Sequence, residues 1–149
     1  MPSTLASATP AVMIRDYVIA EGRDVLFNGW TFKFGKLPPE PDQLICLIDQ
    51  GGPTSFPNLL VDYLGLQIIV RSVRAMDGYL SSYLMIRKIR DIILGMDPHP
   101  VEFRELDGVT ERGNIVPMGY DDQDRHMWSA NFQLLVEPEA NALTHRVSL

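Results

Sequence analysis

The chain has 149 residues, 46% hydrophobic and 21% charged, with a formal net charge of −6 at pH 7. That length suits a single domain over 1–149, able to bury a core without metals or disulfides. The acidic balance argues against binding nucleic acid by phosphate neutralisation, and the lone Cys46 excludes an internal disulfide.

Residues 1–8 are small and polar and read as a loose, flexible N-terminus with neither the basic nor the apolar region of a signal peptide. Thr9-Pro10 is a helix start, with Thr as N-cap and Pro at the first helical position. Ile14, Tyr17, Val18 and Glu21 follow at helical spacing, and Gly22 or Asn28-Gly29 is expected to stop the helix. Trp30, Phe32 and Phe34 alternate with Thr31 and Lys33, as in a half-buried strand. The three prolines at 38, 39 and 41 forbid regular pairing in the next segment.

Leu44 to Ile48 is apolar at both parities, which predicts a central strand covered on both faces. Helices are the expected cover on one side, and a neighbouring subunit is a candidate for the other. Residues 50–58 form a Gly/Pro-rich loop. A strand from Leu66 to Arg71 then leads into the longest helix, with Asp77 as its expected N-cap and Gly95 and Pro98 at its end.

Val101 to Leu106 reads as a strand, and Asp107-Gly108 as a tight hairpin with a return strand from Thr110 to Met118. After the charged turn 121–125, His126 to Val136 shows the clearest alternation: Trp128, Ala130, Phe132, Leu134 and Val136 share a face. Pro138 ends that strand, and 138–149 form a weakly patterned C-terminal tail. The order gives an α+β domain, a mostly antiparallel sheet with two helices packed on one face.

On a helical wheel, Tyr79, Tyr83, Ile86, Ile89 and Ile93 form the face that meets the sheet. Leu80 and Leu84 lie to one side of it, Met85 and Ile92 to the other. One helix can cover one flank, so the surplus points to burial against another copy of the chain. Leu80, Leu84, Met85 and Ile92 are therefore the candidate subunit interface. Asp124 and Arg125 are candidates for half of an inter-subunit ion pair.

The sequence holds no HExxH, GxSxG, GxGxxG or phosphate-loop pattern. Asp121, Asp122, Asp124 and His126 could together hold a hard cation, which keeps a small metal-dependent enzyme as an alternative. Their simpler reading is a solvated turn. No catalytic, cofactor or metal residue is assigned, and no apolar run is long enough to cross a bilayer.

Two stretches carry a resemblance. Gln67-Ile68-Ile69-Val70-Arg71 precedes a tyrosine-bearing helix, and Pro117-Met118-Gly119-Tyr120-Asp121-Asp122 leads through Arg125 into Trp128-Ser129-Ala130-Asn131-Phe132. This pattern resembles the minor capsid and tail terminator proteins of long-tailed bacteriophages. The resemblance implies a non-catalytic virion protein at the head–tail junction, made in the host cytoplasm. It implies a homo-oligomeric ring, a hexamer, that caps the tail tube and joins it to the head connector while DNA passes without specific binding. A tail tube subunit or a connector-bound adaptor is the neighbouring alternative. A protein-binding domain from outside phages, dimeric through a sheet edge, is another.

Overall fold

A computed structural model describes the protein at residues 9–51, 62–96, 99–101 and 104–138. The expectations for 1–8, for most of the 50–58 loop and for the tail beyond Pro138 lie outside the described residues. Two helices and seven strands follow in the order α1 (Pro10–Leu26), β1 (Thr31–Phe34), β2 (Leu44–Gln50), β3 (Asp62–Arg71), α2 (Ala75–Leu94), β4 (His99–Val101), β5 (Arg104–Glu111), β6 (Val116–Tyr120) and β7 (His126–Pro138).

α1 begins as its sequence dictates. The Thr9 side chain accepts from the Val12 amide, and Pro10 opens the helix. The Ala11 amide, left without a helical partner, donates to the Asp49 carboxylate on β2 at 2.9 Å. That bond places an acidic side chain at the positive helix end and ties α1 to the sheet. Gly29, at φ +86°, turns the chain into β1.

The sheet order is β1-β2-β3-β7-β5-β4, with β6 also on β7. All pairings are antiparallel except β1 with β2. β7 is the axis. One edge pairs with β3 from Asp62↔Val136 to Arg71↔Met127. Its other edge takes β5 against its C-terminal half and β6 against its N-terminal half. β5 and β6 are thus one interrupted strand folding back on β7, with the hairpin turn at 121–125. The tight hairpin expected at Asp107-Gly108 is not there: β5 runs straight through it, with a register shift between Leu106 and Gly108. Pairing along β7 overrides the local turn preference and turns the dipeptide into a bulge.

Strand parity separates two faces. Ile45 and Leu47, Leu66, Ile68 and Val70, and the Trp128–Val136 alternation point to the helices and form one core with Ile14 and Val18 of α1 and Ile86, Ile89 and Ile93 of α2. Each of those isoleucines removed from water contributes about 1.5–3 kcal/mol. The opposite face carries Leu44, Cys46, Ile69 and Arg71, all buried as well. Their cover is the protein's own proline-rich segment between β1 and β2, not a second subunit: the Cys46 thiol reaches the Lys36 carbonyl at 3.1 Å, and Arg71 donates to the Pro41 carbonyl at 2.7 Å.

α2 starts two residues before the expected cap. Arg74 occupies the N-cap with no side-chain bond, and Asp77 sits in the first turn, where it still opposes the helix dipole. Gly95 closes the helix as expected, its amide donating to the Asp91 carbonyl at 3.0 Å. The first turn leaves no room for a side chain at Gly78, where a Cβ would lie 1.6 Å from the Val73 carbonyl oxygen. Gly78→Ala is expected to cost about 3 kcal/mol or more, because the chain entering the helix at Val73 must be pushed away from it. Gly108→Ala, into open space, should cost well under half as much. Paired chemical denaturation curves check the contrast.

Candidate functional site

Three features of the surface and its support follow from this fold: a charged knot under the hairpin, an aromatic wedge, and an apolar helix face.

The knot sits where β3, β7 and the proline-rich segment meet. The Arg125 guanidinium is buried and donates to Asp121 at 2.9 Å, to Asp42 at 2.9 Å and to the Pro39 carbonyl at 2.8 Å. Asp121 also accepts from the amides of Gln123 and Arg125, at 3.0 and 2.9 Å. The backbone of Asp124, at φ +65°, closes the turn, a conformation that Asp tolerates better than most residues. Burial raises the Asp121 pKa, but the two amides and the Arg125 guanidinium outweigh it and hold the carboxyl below its usual value. Arg125 is therefore spent inside the chain and is not half of an inter-subunit ion pair. Asp124 is exposed on the turn.

The same geometry removes the metal-site alternative. The Asp121 carboxylate faces cations, Asp122 and Asp124 point to solvent from the turn, and the His126 ring is buried. Among the described residues no group of three or more His, Cys, Asp or Glu side chains could hold a metal ion.

His126 belongs to the wedge. Its ring lies 4.6 Å from Tyr79, 4.8 Å from Tyr120 and 4.8 Å from Trp128, and Trp128 donates to the Tyr79 carbonyl at 3.3 Å. These contacts lock the hairpin against the start of α2. Burial lowers the His126 pKa, and its Nδ1 has no hydrogen-bond partner. Further along, Arg90 on α2 pairs with Glu111 on β5 at 2.6 Å.

The helix face resolves the question of the flanks. Met85 is 6% exposed and Ile92 half-buried, both packed into the core shared with α1. The first helix has claimed that flank, so a lysine at Met85 would bury an unpaired charge rather than probe an interface. Leu80 and Leu84 remain, 56% and 46% exposed, and Met76 one turn earlier is 75% exposed. Met76, Leu80 and Leu84 stand four residues apart and make a continuous apolar stripe. Arg87 and Lys88 follow one turn on.

Sequence reasoning missed Met76 by counting only the flanks of the sheet-facing stripe. It expected a return strand as far as Met118, but not that all five residues of β6 would be exposed, Val116, Met118 and Tyr120 among them.

The chain is acidic overall, pairs its buried guanidinium groups internally and leaves an apolar stripe of α2 exposed. Among the described residues no helix is long and apolar enough to cross a membrane. The family model for bacteriophage tail terminator proteins matches residues 30–138, and the chain belongs to that family. It is a structural protein of the phage virion. Comparison with curated protein sequences finds no match. Among solved structures, a chain from the virion of a native gene transfer agent particle shares the fold. The TM-score is 0.68 at 14% identity, over 89% of this chain and 97% of that one.

Two pH-linked outcomes follow. The unfolded histidine takes up a proton near pH 6.5, the folded one only at lower pH, so stability falls as pH drops below neutral. His126→Phe should flatten that limb of a stability–pH curve. Asp121, with its folded pKa depressed, adds stability above the unfolded carboxylate value that is lost as pH falls through the folded one. Arg125→Met should cost about 3–5 kcal/mol at pH 7 by stranding Asp121, and much less once Asp121 is protonated. Urea denaturation across pH checks both.

Proposed function

We propose that the protein is the tail terminator subunit of a long-tailed, siphophage-type particle, closing as a hexameric ring over the end of the tail tube and joining it to the head connector. The observation that carries this reading is the Met76–Leu80–Leu84 stripe, apolar surface that one copy of the chain leaves in water. A head-to-tail interface that closes on itself gives a ring. The work is done by surfaces, with no reaction, and the acidic chain suits a ring through which DNA passes without adhering. The fold shared with a chain of a virion particle supports the same reading.

The test is assembly in the presence of tails. Particles carrying Leu80→Lys with Leu84→Lys should lose the ring and yield tails that overgrow and stay unjoined, while the isolated variant melts within a few degrees of wild type. Loss of the chain should give tubes of uncontrolled length. Absence of tubes altogether would instead indicate a tube subunit, and normal-length tails that merely fail to join heads would indicate an adaptor. Electron micrographs of lysates give the readout.

A further inference from the structure

The outer face of α2 is complementary to itself. Asp77, Leu80, Leu84, Arg87 and Asp91 fall within a strip about 80° wide on the helical wheel. All five are exposed. They lie opposite Ile86, Ile89 and Ile93, which are buried in the core. Their spacing alternates three and four residues, the pattern of a seam between two helices. Lys88 lies off the strip. Among the described residues Asp77 and Arg87 form no ion pair within their own chain, although Arg87 rests 5.8 Å over the Tyr83 ring.

Two copies of this strip match in one arrangement. Laid in the same direction, Asp77 meets Asp77 and Arg87 meets Arg87, and like charges repel. Reversed and centred midway between Leu80 and Leu84, each Leu80 faces the partner's Leu84, and each Asp77 faces the partner's Arg87. The same reversal brings Asp91 beside the start of the partner's helix, where Arg74 is the exposed N-cap and the helix end is positive. Met76, at the margin of the strip and 75% exposed, falls level with the partner's Arg87 and packs on its aliphatic stem. Sliding the reversed helices until Leu84 meets Leu94 also pairs Arg87 with Asp91, but it leaves Leu80 and Met76 bare.

From this match in charge and spacing, we propose that a second copy of the chain covers the strip, as a two-fold, antiparallel α2–α2 dimer of the free protein. Leu80 and Leu84 form its centre and an Asp77–Arg87 pair closes each end. Asp77 and Arg87 stand about 15 Å apart along the helix. An interface this small gives a dimer that forms and parts at roughly micromolar concentration. Its role rests on the ring reading. A two-fold contact closes at two copies and cannot continue round a ring, so the dimer keeps the stripe covered until the tail tube gathers the chains and the stripe changes partners.

Sedimentation equilibrium of the full chain without tails tests the dimer. Wild type should reach two copies and go no further. Asp77→Arg and Arg87→Glu each set like charges together at both ends, and each should weaken the dimer roughly tenfold. Mixed in equal amounts, the two variants regain both opposite-charge pairs and should dimerise to within about twofold of wild type. The changed side chains are exposed, so each variant should melt within a few degrees of wild type. Leu80→Cys mixed with Leu84→Cys should form a disulfide-linked dimer on air oxidation faster than either alone, with Cys46 buried and out of reach. Faster linkage between Leu84→Cys and Leu94→Cys would overturn this register. A wild type that stays monomeric well above micromolar concentration, or closes a ring without tails, would overturn the dimer. So would a dimer that both charge variants leave intact, or a mixture no stronger than either variant alone. Rings at tail ends are scored separately by electron microscopy: their absence beside an intact dimer would contradict the ring reading alone, and rings without the dimer would overturn the dimer alone.

Discussion

One buried guanidinium holds the architecture together. Arg125 binds the first residue of its own turn and two points on the proline-rich segment that sequence places some eighty residues away. Arg71 adds a third tie, to the Pro41 carbonyl, and lies 3.9 Å from Asp121. Without these bonds the segment between β1 and β2 would have no ladder to join, since prolines deny it one. Leu44, Cys46 and Ile69 would then face water. With them, the side of the sheet away from the helices is closed by the chain itself. Buried ion pairs of this kind gain little net stability over apolar packing, but breaking one partner is costly. Here that cost enforces one position for the loop and one for the β6–β7 hairpin.

The consequence reaches the surface. Because the far side of β2 is self-sealed there and α1 seals one flank of α2, the apolar stripe of α2 and the exposed strand β6 stand out as uncovered apolar surface among the described residues. The aromatic wedge of Tyr79, His126, Tyr120 and Trp128 packs the β6–β7 hairpin against the start of α2. The proposed ring needs a rigid subunit, since small errors repeated around a closed circle accumulate and leave it open.

Much of the fold was legible in the sequence, for physical reasons that differ by element. β7 alternates from Trp128 to Leu134 because one face is core and the other carries Ser129, Asn131 and Gln133. Ile86, Ile89 and Ile93 were readable because the helix period is fixed by its hydrogen bonds. The cover of Leu44 and Cys46 was not readable, because a proline-rich segment has no period to reveal where it folds. Asp107-Gly108 misled because turn chemistry is local, while the pairing that overruled it runs the length of β7. The wheel identified surplus apolar surface on α2 but could not say which flank α1 would take, so Met85 was grouped with Leu80 and Leu84. Arg125 looked like a surface charge because its partners Asp42 and Pro39 are remote in sequence.

The most direct measurement is a cryo-electron microscopy map of the head–tail junction in the particle that carries this protein. The account predicts a single closed ring of identical copies at the end of the tail tube, with Leu80 and Leu84 of each copy buried against its neighbour. A ring in which those leucines face solvent, or a junction without a ring of this chain, would contradict it.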